Sequence, residues 1–132
     1  MDGGGFAFSG TGSLTAEGVM IVNAPQSNSD TIGITGTGAI NLSPMTTGLY
    51  QGISLWQTRL SSNTLTVAGG GSGGLTGTFY AQHGTLKVSG GNGVGVGSQY
   101  ISYDLSITGS SAMGVDYNPA TVAPVKVLQL VE

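Results

Sequence analysis

Leu86-Lys87-Val88-Ser89-Gly90 and Leu105-Ser106-Ile107-Thr108-Gly109 carry one short pattern: apolar, any residue, apolar, small, glycine. Working outward along the chain, it occurs three more times, as Phe6-Ala7-Phe8-Ser9-Gly10, Ile32-Gly33-Ile34-Thr35-Gly36 and Leu65-Thr66-Val67-Ala68-Gly69. The copies start 26, 33, 21 and 19 residues apart. The alternation is a period of two, which puts the first and third residues on one face of a strand. The closing glycine opens backbone conformations denied to other residues, so each copy reads as a half-buried strand followed by a corner. Self-similarity at a period of roughly 20–50 residues marks stacked repeat architectures.

A second family of strands lies between the copies: Gly18-Val19-Met20-Ile21-Val22-Asn23, Gly52-Ile53-Ser54-Leu55-Trp56-Gln57, Gly77-Thr78-Phe79-Tyr80-Ala81-Gln82 and Gln99-Tyr100-Ile101-Ser102-Tyr103-Asp104. One strand of each kind, with corners, makes a coil, and Gly38-Ala39-Ile40-Asn41-Leu42 adds a third strand to its own coil. The expected fold is all-β: a right-handed parallel β-helix (β-solenoid) of about four to five coils, forming one domain over residues 1–132. Phe6/Phe8, Ile32/Ile34, Leu65/Val67, Leu86/Val88 and Leu105/Ile107 are expected to form one interior column. A β-sandwich is the alternative, since it too uses short alternating strands and turns. It does not require five similar copies in one register.

The tail Val125-Lys126-Val127-Leu128-Gln129-Leu130-Val131 is strand-like and set off by Pro119 and Pro124. The stretch 119–132 is read as a capping strand over the last coil. No cap is evident at the other end, and the chain is expected to be a C-terminal fragment of a longer protein. Uncovered coil ends invite association, so a homo-oligomer formed by end-to-end or lateral stacking is an expected partner.

Composition narrows the function classes. Charged residues are 7% of the chain, against a usual value of about 25%. Glycine occupies 25 of 132 positions, and each glycine inside a helix costs roughly 1 kcal/mol relative to alanine, which disfavours a helical fold. The hydrophobic fraction of 39% falls in ordered bursts, which separates the chain from a disordered linker. Arg59, Lys87 and Lys126 are all the cations there are, and the net charge is −3. Phosphate-backbone binding has no electrostatic source, so nucleic acid is excluded as a partner. Cysteine is absent, which removes disulfides and thiolate metal sites. No stretch approaches the roughly 18 apolar residues of a membrane-spanning helix.

The stretch 42–109 contains Leu42-Ser43-Pro44, Gly48-Leu49-Tyr50-Gln51-Gly52-Ile53-Ser54-Leu55-Trp56-Gln57-Thr58-Arg59, Gly77-Thr78-Phe79-Tyr80-Ala81-Gln82 and Gly97-Ser98-Gln99-Tyr100-Ile101. It resembles the C-terminal β-helical region of bacterial Tad-type (TadG-like) pilus-assembly proteins. The likeness lies in a "tyrosine, any, glycine, isoleucine … glutamine, any, arginine" strand followed by "glycine, threonine, apolar, tyrosine, alanine". It implies an extracellular or cell-envelope location in a bacterium, a structural role, and no catalytic residue.

Parallel β-helices also host polysaccharide lyases and hydrolases, whose chemistry needs clustered carboxylates. The acids here are Asp2, Glu17, Asp30, Asp104, Asp116 and Glu132, scattered along the chain. His83 is the lone histidine and sits before Gly84 at an expected corner, where a solvated role outweighs that of a base. The runs Gly69-Gly70-Gly71-Ser72-Gly73-Gly74 and Gly90-Gly91-Asn92-Gly93-Val94-Gly95 lack the helix and the lysine-serine/threonine pair of a phosphate loop, and they lack the aspartate of a calcium-binding repeat. They read as corners. The chain is therefore expected to be non-catalytic, without cofactor or metal. Its function is read as a structural or adhesive surface module, the alternative being a carbohydrate-binding module or a polysaccharide-active enzyme. Candidate ligand contacts are Tyr50, Trp56, Arg59, Tyr80, His83 and Tyr103. With Tyr100 they would form an outward aromatic strip suited to stacking on the apolar faces of sugar rings. A glycan is the expected ligand class.

Overall fold

The computed structural model describes residues 1–69, 73–90, 99–109, 115 and 117–124. The described residues contain strands and no helix. The strands are β1 (Phe6–Phe8), β2 (Leu14–Ala16), β3 (Ile21–Asn23), β4 (Ile32–Ile34), β5 (Ile40–Leu42), β6 (Ile53–Gln57), β7 (Leu65–Gly69), β8 (Gly73–Leu75), β9 (Thr78–Gly90) and β10 (Gln99–Gly109). Every pairing between them is parallel. Parallel partners cannot be joined by a hairpin; each needs a long crossover, and here the crossover consists of other strands. This pattern is foreign to a sandwich of antiparallel sheets.

The chain visits three sets of strands in rotation. The first set holds the five pattern copies: Phe6 pairs with Ile32, Ile32 with Leu65, Leu65 with Leu86, and Leu86 with Leu105. Two residues on, Phe8, Ile34, Val67, Val88 and Ile107 follow the same order. The second set pairs β2 with β5 and β5 with β8. The third pairs β3 with β6, β6 with the first half of β9, and β9 with the first half of β10. Because β9 is 13 residues long and serves two sets, the first and third join into one curled seven-stranded sheet, beside the three-stranded sheet of the second set.

The core lies inside these sets. Ile32, Ile34, Leu65, Val67, Leu86 and Val88 are fully shielded from solvent, together with Leu55 and Phe79 from the third set and Leu42 and Leu75 from the second. Shielding an aliphatic side chain of this size contributes roughly 1.5–3 kcal/mol. The column thins at its ends. Phe6 and Phe8 are half-buried, while Leu105 and Ile107 are 47% and 54% exposed.

Two expectations change in detail. The sequence shows the second set only as Ile40–Leu42; Leu14–Ala16 and Gly73–Leu75 complete it, so Gly73 opens a strand rather than a corner. The closing glycines also serve different ends. Gly10 turns the backbone with φ 107°, but Gly36 is there for space, since a Cβ would run into the ring of Phe8 on the neighbouring strand. Gly69 and Gly90 remain in the ladder as partners of one another. The glycine run 91–95, Asp116, and the tail 125–132 lie outside the described residues. Residues 118–121 form a turn, closed by Thr121 N–H donating to Asn118 O.

Candidate functional site

Side chains alternate along a strand, so the third set has an inner and an outer row. Ile21, Leu55, Phe79 and Tyr100 form the inner row, and Phe79 and Tyr100 meet in a tilted ring pair with centroids 5.6 Å apart. The Tyr100 hydroxyl is buried without a hydrogen-bond partner, and burial pushes its pKa up to about 12, so the phenol stays neutral. The outer row is Val22, Trp56, Tyr80 and Ile101. Trp56 and Tyr80 stack there, with ring planes 13° apart and centroids separated by 6.3 Å.

Polar groups frame the stacked pair. Arg59 Nε donates to the Tyr80 hydroxyl (3.0 Å), which in turn donates to Gln82 Oε1 (2.6 Å). Trp56 and Tyr80 are half-buried, whereas Arg59, Gln82 and His83 are exposed. The sheet thus presents a flat aromatic ledge with a cation, a phenol and an amide at one end. Tyr103 is 77% exposed and lies where the β9–β10 register shifts, opposite Gln82–Gly84. His83 occupies the bend between the two halves of β9, inside a continuous strand. Tyr50 is in the turn before β6, at the far end of that strand from Arg59. The structure therefore gathers Trp56, Arg59 and Tyr80, sets His83 and Tyr103 at the adjoining bend, and leaves Tyr50 apart. Tyr100 faces inward, not into the strip.

Gln82 was missed in the sequence, although it stands two residues after Tyr80 on the same strand and so shares its face. A second polar feature was missed too. Asn23 and Gln57 are register partners, both fully buried. Asn23 Nδ2 donates to Asp30 O (2.8 Å) and Gln57 Nε2 donates to Asn63 O (2.7 Å). Asn63 Nδ2 reaches back to Ser27 O (2.8 Å) and Asp30 O (3.1 Å). The sequence signal was there: three strands of the second family as quoted end in an amide, Asn23, Gln57 and Gln82, and the first two are the buried ones. These amides tie the loops 24–31 and 58–64 to the sheet. Between the loops lies an open cleft of about 200 Å³, lined by residues that include Gln26, Asn28, Thr58 and Ser61.

Asp30 organises the first of these loops. Its carboxylate accepts from Gln26 N, Ser27 N and Ser27 Oγ, each at 2.9 Å. These bonds, the Gln26 amide first, hold its pKa below the ordinary carboxylate value. A depressed carboxylate pKa contributes stability that is present above the unfolded value and is lost as pH falls through the folded one. Acidification below the usual carboxylate range is therefore expected to loosen residues 26–30. Asp30→Asn should remove that part of the acid sensitivity, which acid titration followed by amide NMR shifts of Gln26 and Ser27 would read.

Among the described acids, Asp2 and Asp30 both accept from Gln26, through its side-chain amide and its backbone N–H respectively. Asp2 bridges to Ala24 at one end of the stack, while Asp104 lies on β10 at the other. Among the described residues no three of His, Cys, Asp and Glu come together as metal ligands, and no helix is long and apolar enough to cross a membrane. No family model, curated protein or solved structure matches this chain.

Proposed function

We propose that the chain is a non-catalytic structural or adhesive module, built as a right-handed parallel β-helix of four to five coils. The observation that carries this reading is the first strand set, in which five apolar pairs 19–33 residues apart in sequence succeed one another in unbroken parallel register. Three strand sets visited in turn are what a coil needs, and right-handed crossovers dominate parallel connections. A scaffold of this kind is rigid and presents its outer rows as flat contact surfaces. The location in a bacterial envelope, and the pilus-associated role, rest on the sequence resemblance alone.

The hydrogen bonds that Asp30 accepts from Gln26 and Ser27 give it a role within its own loop, which supports a structural reading. Incubation with neutral and acidic polysaccharides is expected to release no new reducing ends or unsaturated products. Steady product formation would overturn the non-catalytic reading.

The Trp56–Tyr80 ledge favours a second reading, carbohydrate contact. Flat aromatic rows with polar ends suit the apolar faces and hydroxyls of pyranose rings. If the ledge serves adhesion in this way, immobilised glycans retain the protein and Trp56→Ala releases it, with the melting curve kept. Equal retention of both forms would dismiss the ledge.

A further inference from the structure

Loops 24–31 and 58–64 follow β3 and β6, and because those strands are parallel partners the two loops leave the sheet at the same end. Thr58 N–H donates to Asn23 O (3.0 Å), which carries the pairing up to the start of both loops. The cleft of about 200 Å³ between them has no charged side chain in its lining among the described residues. Asp30 is engaged elsewhere, by the Gln26 and Ser27 amides and the Ser27 hydroxyl.

Three lining side chains keep their polar groups uncommitted. Asn28, Thr58 and Ser62 make no side-chain hydrogen bond among the described residues, whereas Gln26, Ser27 and Asn63 are tied into the loops. An amide and two hydroxyls offer donors and acceptors together, as the hydroxyls of a sugar do. Pro25 from one loop and Leu60 from the other add apolar surface, and Leu60 is 98% exposed. A pyranose ring combines hydroxyls with apolar C–H faces, so it suits both kinds of group. An anion would find no cation in this lining and a metal ion no carboxylate, while a purely apolar ligand would strip water from three polar groups and leave them unpaired. The volume falls below the roughly 300–1,000 Å³ of pockets for drug-sized ligands, which limits the occupant to about one ring. Asn63 Nδ2 also holds Ser27 O (2.8 Å) and Asp30 O (3.1 Å) of the opposite loop. The walls are thereby set before a ligand arrives, which lowers the entropy cost of binding.

The cleft adjoins the aromatic ledge. Thr58 stands two residues beyond Trp56, and Arg59, which is no part of the cleft wall, donates instead to the Tyr80 hydroxyl (3.0 Å). We propose that the cleft is a binding subsite for one neutral pyranose ring, and that the Trp56–Tyr80 ledge holds the next ring of the same oligosaccharide. The proposal rests on the carbohydrate reading of the ledge and adds to it a second subsite and a preference for neutral sugars over uronic acids.

Trp56 is the chain's single tryptophan, so its indole N–H gives one NMR signal for the ledge, while the amides of Asn28 and Ser62 report on the cleft. The probes are glucose, mannose and N-acetylglucosamine, the neutral tetrasaccharides cellotetraose, mannotetraose and chitotetraose, and the acidic tetragalacturonate. At about 10 mM, a range that detects weak binding, at least one neutral monosaccharide is expected to move the cleft signals alone. Its tetrasaccharide should move both sets and bind roughly ten-fold or more tightly, and tetragalacturonate should move neither. Asn28→Ala combined with Thr58→Val should weaken the tetrasaccharide about ten-fold or more with the melting curve kept, since neither side chain bonds to the protein. Asn28→Ala alone, at an exposed position, should give a smaller loss in the same direction. A tetrasaccharide that moves the indole alone, or that binds regardless of these substitutions, overturns the cleft subsite and leaves the ledge reading standing. Shifts confined to the cleft support the subsite and dismiss the ledge as its neighbour. Equal binding of tetragalacturonate overturns the preference for neutral sugars, and silence from every neutral probe overturns cleft and ledge together.

Discussion

Leu65→Asp is expected to leave the chain unfolded at neutral pH. Leu65 is fully buried, between Ile32 and Leu86 in the middle of the column, and no cation lies among its core neighbours. An unpaired carboxylate in such a place costs several kcal/mol even after relaxation, a large part of the roughly 5–15 kcal/mol that holds a typical domain together. Leu65→Ala should fold, losing about 2–5 kcal/mol through lost burial and the cavity left behind. Thr66→Asp is the control one residue along. Thr66 belongs to the outer row, between Gly33 and Lys87, and its replacement should shift stability by no more than about 0.5 kcal/mol. Urea titration followed by circular dichroism reads all three. Equal losses at positions 65 and 66 would deny that the strand has one inward face.

Gly52→Ala is the second large effect, and its size reports on the C-terminal segment. Gly52 has φ 79°, and a Cβ there would land on the backbone of Val122 and Ala123. The left-handed backbone costs a non-glycine residue roughly 1–2 kcal/mol and forced overpacking about 1–3 kcal/mol, so the expected loss is about 2–5 kcal/mol. Gly18 enters β3 much as Gly52 enters β6, and its φ is 66°, but nothing lies within 4 Å of its added Cβ. Gly18→Ala should therefore show the backbone cost alone, roughly 1–2 kcal/mol. The difference between the two melting midpoints isolates the packing of residues 122–123 against the sheet. Equal losses would place that segment away from Gly52.

The two tests depend on different kinds of information. The inward direction of Leu65 was legible in the chain, because apolar residues two apart can share a face only on a strand. The collision at Gly52 was not, since Val122 is 70 residues away in sequence and no local pattern links the two positions. Trp56 and Tyr80 were picked out as surface aromatics, yet their stacking depended on register. Aligning the leading glycines Gly52 and Gly77 would set Leu55 beside Tyr80. The irregularity between Ile53 and Leu55 moves the pairing by one, so Leu55 meets Phe79 and Trp56 meets Tyr80. A one-residue shift exchanges inner for outer faces; it puts Tyr80 outside with Arg59 and Gln82 and leaves Phe79 in the core.

The sequence by itself determined the strand content, the five equivalent apolar pairs and their order, and the lack of a cationic surface for nucleic acid. Each of these depends on local alternation or on composition. Only the tertiary structure decided which strands complete the second set, that the buried amides Asn23 and Gln57 hold two loops in place, and where the residues before the tail meet the sheet. Short runs such as Leu14–Ala16 and Gly73–Leu75 have too few residues to show a period. They become strands because a neighbour offers hydrogen bonds in register, and that offer exists only once the chain has returned on itself.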